Sequence, residues 1–218
     1  MKNIILLIIT SLIIGFTHAQ NAQYEEAMSD AIKALNAAES AKDIQEVANV
    51  FERIVQADSS NWLPVYYLAF AHNNLAWMSL EKQDFDAFEK HFKAAQEAID
   101  QAKLNASDQA EIFILEAYNY QALIMREPMV NGPRYSQTCE ALIKKAQSLD
   151  ADNPRASYLL ALQWLHMPAF LGGGKEKALP QFEKAAENFE NYQIASDLHP
   201  NWGAAANLAF LSKLKGKS

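Results

Sequence analysis

Few residues in this chain have types and spacings that suit chemistry beyond packing. His72, His91, His166 and His199 stand on separate helical stretches or turns, none with a second His, Cys or carboxylate at metal-ligand spacing. The sequence contains no HExxH, GxSxG or Walker loop. A nucleophile needs a base within hydrogen-bond reach, and no Ser, Cys or Thr here is accompanied by one. The reading is non-enzymatic, with no catalytic, metal or cofactor residues expected.

Leu171-Gly172-Gly173-Gly174-Lys175 admits two accounts. Consecutive glycines ahead of a helix can present N–H groups to an anion, although this run lacks the spacing and terminal Ser or Thr of a phosphate loop. The other account is a tight or left-handed turn that folds one helix back on another. The lone cysteine, Cys139, sits at a small-residue position of a helix, where it reads as a buried, inert thiol.

Helices must position all of these residues. In Cys139–Trp164, apolar or small residues recur at Ile143, Ala146 and Leu149, and the polar turn 150–154 follows. Tyr158, Leu160, Ala161 and Trp164 then resume a period near 3.6. Asn153 before Pro154 marks a helix start. Asp58, Asn61, Tyr66, Leu68 and Ala69 repeat the spacing of Asp150, Asn153, Tyr158, Leu160 and Ala161. Asn61-Trp62 with Leu68-Ala69-Phe70 recurs as Asn201-Trp202 with Leu208-Ala209-Phe210.

These units resemble tetratricopeptide (TPR) repeats. Cys139, Ile143 and Ala146, and more sharply Ala178, Phe182 and Ala185, match the small-bulky-small pattern of the second helix. Leu160, Ala161 and Trp164 match the first. The resemblance implies an all-α fold of helix-turn-helix repeats in a right-handed superhelix, with about four helix pairs and a C-terminal closing helix over residues 20–218. The expected helices run from Asn21 to about Ser40, Lys42 to Ala57, Trp62 to Leu80, Asp84 to Lys103, and Ser107 to Arg126. Further helices are expected from Arg134 to Leu149, Pro154 to His166, through Phe182 to Ala195, and from Asn201 to Leu214. The turns 128–133 and 168–174 are expected to be enlarged. Phe51, Phe92, Ile143 and Phe182 recur at intervals longer than the roughly 34 residues of an ordinary repeat.

In TPR proteins the first helices line a concave groove. Carried over, that gives Leu63, Tyr66, Tyr67, Phe70, Asn73 and Asn74 from one helix, and Arg155, Tyr158, Leu159, Leu162, Leu165 and His166 from another. Aromatic anchors beside amide and charged groups suit a peptide or partner protein, or a small apolar ligand. The same aromatics would also serve to fill a tightly curled solenoid. The Lys and Arg carboxylate clamp of chaperone-tail binding repeats is missing.

At 218 residues and 50% hydrophobic, the chain can bury a core. Its formal net charge of -7 and pI of about 5.2 argue against nucleic acid or an anionic membrane as partner. Lys2, the apolar run Ile4–Ile14 and the small residues to Ala19 read as a signal peptide cut after Ala19. The run is too short to span a bilayer, and an uncleaved anchor is the competing reading. No cysteine near the cut offers lipid attachment, so the mature protein is expected to be periplasmic or secreted, with no stable membrane anchor. The turn with Pro168, apolar residues, glycines and Lys177-Ala178 before Phe182 is similar to turns in exported bacterial TPR-like proteins, including some that accompany TRAP-type solute transporters. This implies two functions: an envelope scaffold holding a peptide or protein in the groove, or a transporter accessory binding a small apolar or anionic solute near the glycine turn.

Overall fold

The computed structural model describes residues 22–216, and among these the chain is helical with no strand. The signal peptide and its cut after Ala19 lie outside the described residues. The helices are α1 (22–37), α2 (Ala41–Ala57), α3 (Trp62–Glu81), α4 (Phe85–Asn105), α5 (Gln109–Arg126), α6 (Pro128–Leu149), α7 (Pro154–His166), α8 (Lys175–Asn191) and α9 (Ala204–Leu214). A 3-10 turn occupies Ala169–Leu171.

Short polar residues start α2, α3, α4, α5 and α7 by satisfying N–H groups that have no partner within the helix. Ser40 and Asp43 form a capping box: the Ser40 N–H donates to Asp43 Oδ2 at 3.0 Å, and the Asp43 N–H donates to Ser40 Oγ at 3.2 Å. Asn61 and Asn153, paired by the internal repeat, cap alike. The first accepts from the Leu63 N–H at 3.0 Å and the second from the Arg155 N–H at 3.1 Å.

The main packing pairs are α3 with α4, α5 with α6, and α7 with α8, and α3, α5 and α7 also touch in sequence. This is an all-α, TPR-like solenoid, closed by α9 against α8. Ala69 and Ala161 are both fully buried, as the repeat requires where a neighbouring helix crosses closely. One core gathers Met28, Phe51, Tyr66, Ile99 and Ile112, and the next gathers Ile114, Ile143, Leu159 and Phe182. Each such side chain withdraws enough apolar surface to contribute about 1.5–3 kcal/mol.

The structure corrects three boundaries. Residues 128–133 are not a loop: α6 begins at Pro128, leaving only Glu127 between it and α5. Pro128 is tolerated at a first helical position, and Asn131 Nδ2 donates to the Leu123 carbonyl at 2.7 Å, tying the new turn to the end of α5. Pro133 inside α6 and Pro180 inside α8 occupy the same place in their helices. Each forfeits only a bond to a carbonyl of the first turn, so the helix continues. Secondly, α8 ends at Asn191, not Ala195. Thirdly, α9 starts at Ala204, because Gly203 takes φ +104 and stops the helix from extending back to Asn201. The irregular segment 192–203 that results decides what the concave face looks like.

Candidate binding face

The face expected to form an open groove is occupied by segment 192–203 of the same chain. Trp202 stacks on Phe70 with ring centroids 4.9 Å apart, lies 5.4 Å from Tyr118, and donates from Nε1 to the Tyr66 hydroxyl at 2.8 Å. Trp77 also stacks on Tyr118 at 5.7 Å. A Cβ at Gly203 would sit 3.6 Å from Tyr158 Cδ1 and 3.0 Å from Phe189 Cζ, so the backbone itself lies close against α7 and α8 there.

Below the segment is a buried polar chain. Arg155 Nε donates to both Glu111 carboxylate oxygens, at 3.1 and 3.0 Å, and its Nη2 reaches the same group. Asn153 Nδ2 donates to Glu111 Oε1 at 2.5 Å, and the Tyr66 hydroxyl to Oε2 at 3.3 Å. Tyr192 lies under the Arg155 guanidinium, 5.6 Å from ring centroid to Cζ, and its hydroxyl donates to Asp150 at 2.5 Å. Burial alone would lower the Arg155 pKa, but the Glu111 charge and hydrogen bonds outweigh it and hold the guanidinium charged. Burial, then the Glu111 charge, drives the Tyr66 hydroxyl well above its ordinary value, so it stays protonated as a donor. Two long charged side chains at 2% and 1% exposure are tolerable because nearly every lone pair finds a donor.

Of the residues carried over from the TPR pattern, Tyr66, Phe70, Arg155 and Tyr158 meet around segment 192–203. Tyr67 faces the other way and stacks on Phe51 of α2 at 5.4 Å. Leu63, Asn73, Leu159 and Leu162 are buried as well, with Asn73 Nδ2 donating to the Leu115 carbonyl at 3.4 Å. Asn74 and Leu165 are half-buried, and His166 is exposed. Glu111, Tyr118, Tyr192 and Trp202 belong to the same assembly and are not nominated by the sequence. Trp202 repeats Trp62 in the internal match, but Gly203 changes its role from helix start to groove filler.

The structure also brings His72 of α3 and His91 of α4 together, Nδ1 to Nδ1 at 3.3 Å, a pairing invisible in their spacing. Burial, then the neighbouring His91, lowers His72 to about 4. Burial, then Lys90, lowers His91 against an opposing Asp84. No group of three or more His, Cys, Asp or Glu fit to hold a metal exists among the described residues. A cleft of about 290 Å³ beside His72 has a mixed lining, polar at Gln45, Asn49, Glu52, Glu97 and Gln101 and apolar at Ala48, Leu68, Ala94 and Ala98. A second cavity, beside Arg155 and Tyr192, holds only about 50 Å³. Cys139 is buried, donates to the Ala117 carbonyl at 3.5 Å, and is pushed up to about 12 by burial.

The glycine turn is explained by close packing. Gly172 and Gly174 have φ of +85 and +103, and a Cβ on Gly173 would collide with the Met167 carbonyl. The Gly174 N–H is spent on the Trp164 carbonyl at 2.7 Å.

No family model matches the sequence, and no curated protein matches it. Among solved structures, the chain is similar to the HusA haemophore from Porphyromonas gingivalis, with 26% identity over 89% of this chain and 94% of that chain and a TM-score of 0.77. It is also similar to a thermophilic TPR protein from Thermus thermophilus, with 14% identity over 89% of this chain and 93% of that chain and a TM-score of 0.56. No helix among the described residues is long and apolar enough to cross a membrane.

Proposed function

We propose that this chain is an exported, non-enzymatic binding protein whose cargo is haem or a closely related tetrapyrrole. One observation carries the reading: the likeness to a haemophore extends over 89% of this chain and 94% of the other, at a TM-score of 0.77. The all-α array supplies a scaffold, and the leader read in residues 1–19 fits export. Haem is an apolar plane bearing carboxylates, which falls in the class of small apolar or anionic ligands that the sequence allows. The test is an absorbance titration of the protein without its leader, using haem at micromolar concentrations. A saturable spectral change near one equivalent supports the reading, and a response no greater than that of an unrelated helical protein in the same buffer defeats it.

A second reading, a peptide or partner protein in the concave face, is favoured by segment 192–203 itself. There an irregular stretch already places Trp202 against Phe70 and Tyr66. A partner on this face would have to displace that segment. Envelope extract passed over the wild type and over Tyr66→Ala plus Tyr158→Ala would recover a partner only with the former.

A further inference from the structure

The proposed cargo needs an accessible apolar surface, and the concave face is filled. Of the large apolar side chains exposed among the described residues, Leu104, Leu149, Ile194 and Leu208 are scattered, and the other five are grouped. Met129 is 88% exposed, Val130 55%, Phe170 87%, Leu171 60% and Phe85 46%. All five lie at turns joining the two helices of a pair: α3 to α4, α5 to α6 and α7 to α8. A repeat array places such turns along one edge.

One hydrogen bond sets the level of two of these turns. Gln121 Nε2 of α5 donates to the Leu159 carbonyl of α7 at 2.7 Å. From that level α5 runs to Arg126 and α7 to His166, so with a rise of about 1.5 Å per residue the two helices end level to within about 3 Å. Packed neighbours lie about 8–10 Å apart, so Met129 and Val130 on one turn stand beside Phe170 and Leu171 on the next. The second turn is rigid, since Gly173 packs on the Met167 backbone and Gly174 bonds to Trp164. Phe170 and Leu171 are thus held out into solvent by a fixed turn, an arrangement that marks a contact surface.

Two of the three turns carry an excess of positive charge in a chain of net charge -7: Arg126, Lys175 and Lys177, with Arg134 further along α6, stand against Glu89, Glu127 and Glu176, whereas the α3–α4 turn is acidic, with Glu81, Asp84 and Asp86 against Lys82. Lys177 Nζ lies 4.0 Å over the Trp164 ring, and Arg126 reaches over Phe85 while ion-paired with Glu89 at 3.1 Å. Apolar side chains flanked by cations are complementary to a flat apolar molecule that carries carboxylates.

Resting on the proposed function, we infer that the tetrapyrrole binds across this edge. Met129, Val130, Phe170 and Leu171 cover its face, and Arg134, Lys175 and Lys177 meet its carboxylates. The test compares haem titrations of the wild type, of Met129→Ser plus Phe170→Ser, and of Leu104→Ser plus Leu149→Ser. The last pair is 81% and 57% exposed at the ends of α4 and α6, away from the edge. The expected result is at least about a tenfold loss of affinity in the edge variant, with the opposite variant within about twofold of wild type and all three melting together. A further variant, Lys175→Glu plus Lys177→Glu, is expected to weaken binding most at low salt. If the wild type binds and the edge variant binds equally well, this site is overturned and the cargo reading survives. If the wild type itself does not bind haem, both fall.

Discussion

The indole Nε1 of Trp202 donates to the Tyr66 hydroxyl at 2.8 Å, across 136 positions of sequence. That bond joins the segment before the last helix to the N-terminal part of α3. Tyr66 in turn donates to Glu111, so the closing segment, the second repeat and the third share one network.

Trp202→Ala is therefore expected to destabilise the fold by about 2–4 kcal/mol, because it removes a stacked ring and leaves the Tyr66 hydroxyl with one partner fewer. Urea unfolding measures the loss. A change within about 0.5 kcal/mol of zero, the range of an ordinary surface substitution, would show that the segment is only lightly held.

The buried ion pair gives a double-mutant cycle. Arg155→Met or Glu111→Leu alone leaves one charge buried without its partner, at a cost of about 3–5 kcal/mol each. The double variant is expected to cost clearly less than the two losses added together, since the stranded charge disappears. Strict additivity would mean that the two side chains are not coupled.

Acid should weaken the fold through His72 and His91. Both pKa values are lowered in the folded chain, His72 from 6.5 to about 4, so between those values the unfolded chain binds protons that the folded chain refuses. Stability is complete above about pH 6.5 and declines as the pH falls toward 4, by an amount on the order of 1–2 kcal/mol. Urea midpoints at pH 7 and pH 5 should differ less in His72→Gln plus His91→Gln than in the wild type.

Two glycines should respond in opposite directions. Gly132 is helical with nothing within 4 Å of an added Cβ, so Gly132→Ala is expected to stabilise by up to about 1 kcal/mol. Gly173→Ala would drive a Cβ into the Met167 backbone and should lower the melting temperature by several degrees, because the turn must open.

Cys139 should be silent toward a thiol reagent in the native protein and react once unfolded. Burial both hides its sulfur and pushes its pKa up to about 12, leaving little thiolate at neutral pH. Rapid labelling without denaturant would show that α6 opens locally.

The helix pairs are legible in the sequence because most helices carry their own evidence: an Asn or Asp cap at α3, α4, α5 and α7, and, in the repeat positions, a small residue where a neighbour crosses with a bulky one beside it. Ala69, Ala161 and Phe182 belong in the core on that basis, and all three are buried. The helical start at Pro128 is not legible, since Pro, Asn and Gly in 128–133 are turn residues by propensity, and packing against α5 overrides that propensity. Tyr66 and Arg155 stand out in the sequence as unusual, but nothing near them in the chain says what faces them.

Local periodicity and capping, which act within a few residues, thus determined most of the helices from sequence alone, and the resemblance to TPR repeats supplied their pairing and class. Tertiary structure alone decided that Trp202 fills the concave face, that Glu111 neutralises Arg155, that His72 meets His91, and that apolar turns align along one edge. Those contacts join residues far apart in the chain. They depend on where a φ of +104 at Gly203 and the stacking of whole repeats send the backbone, which no local pattern records.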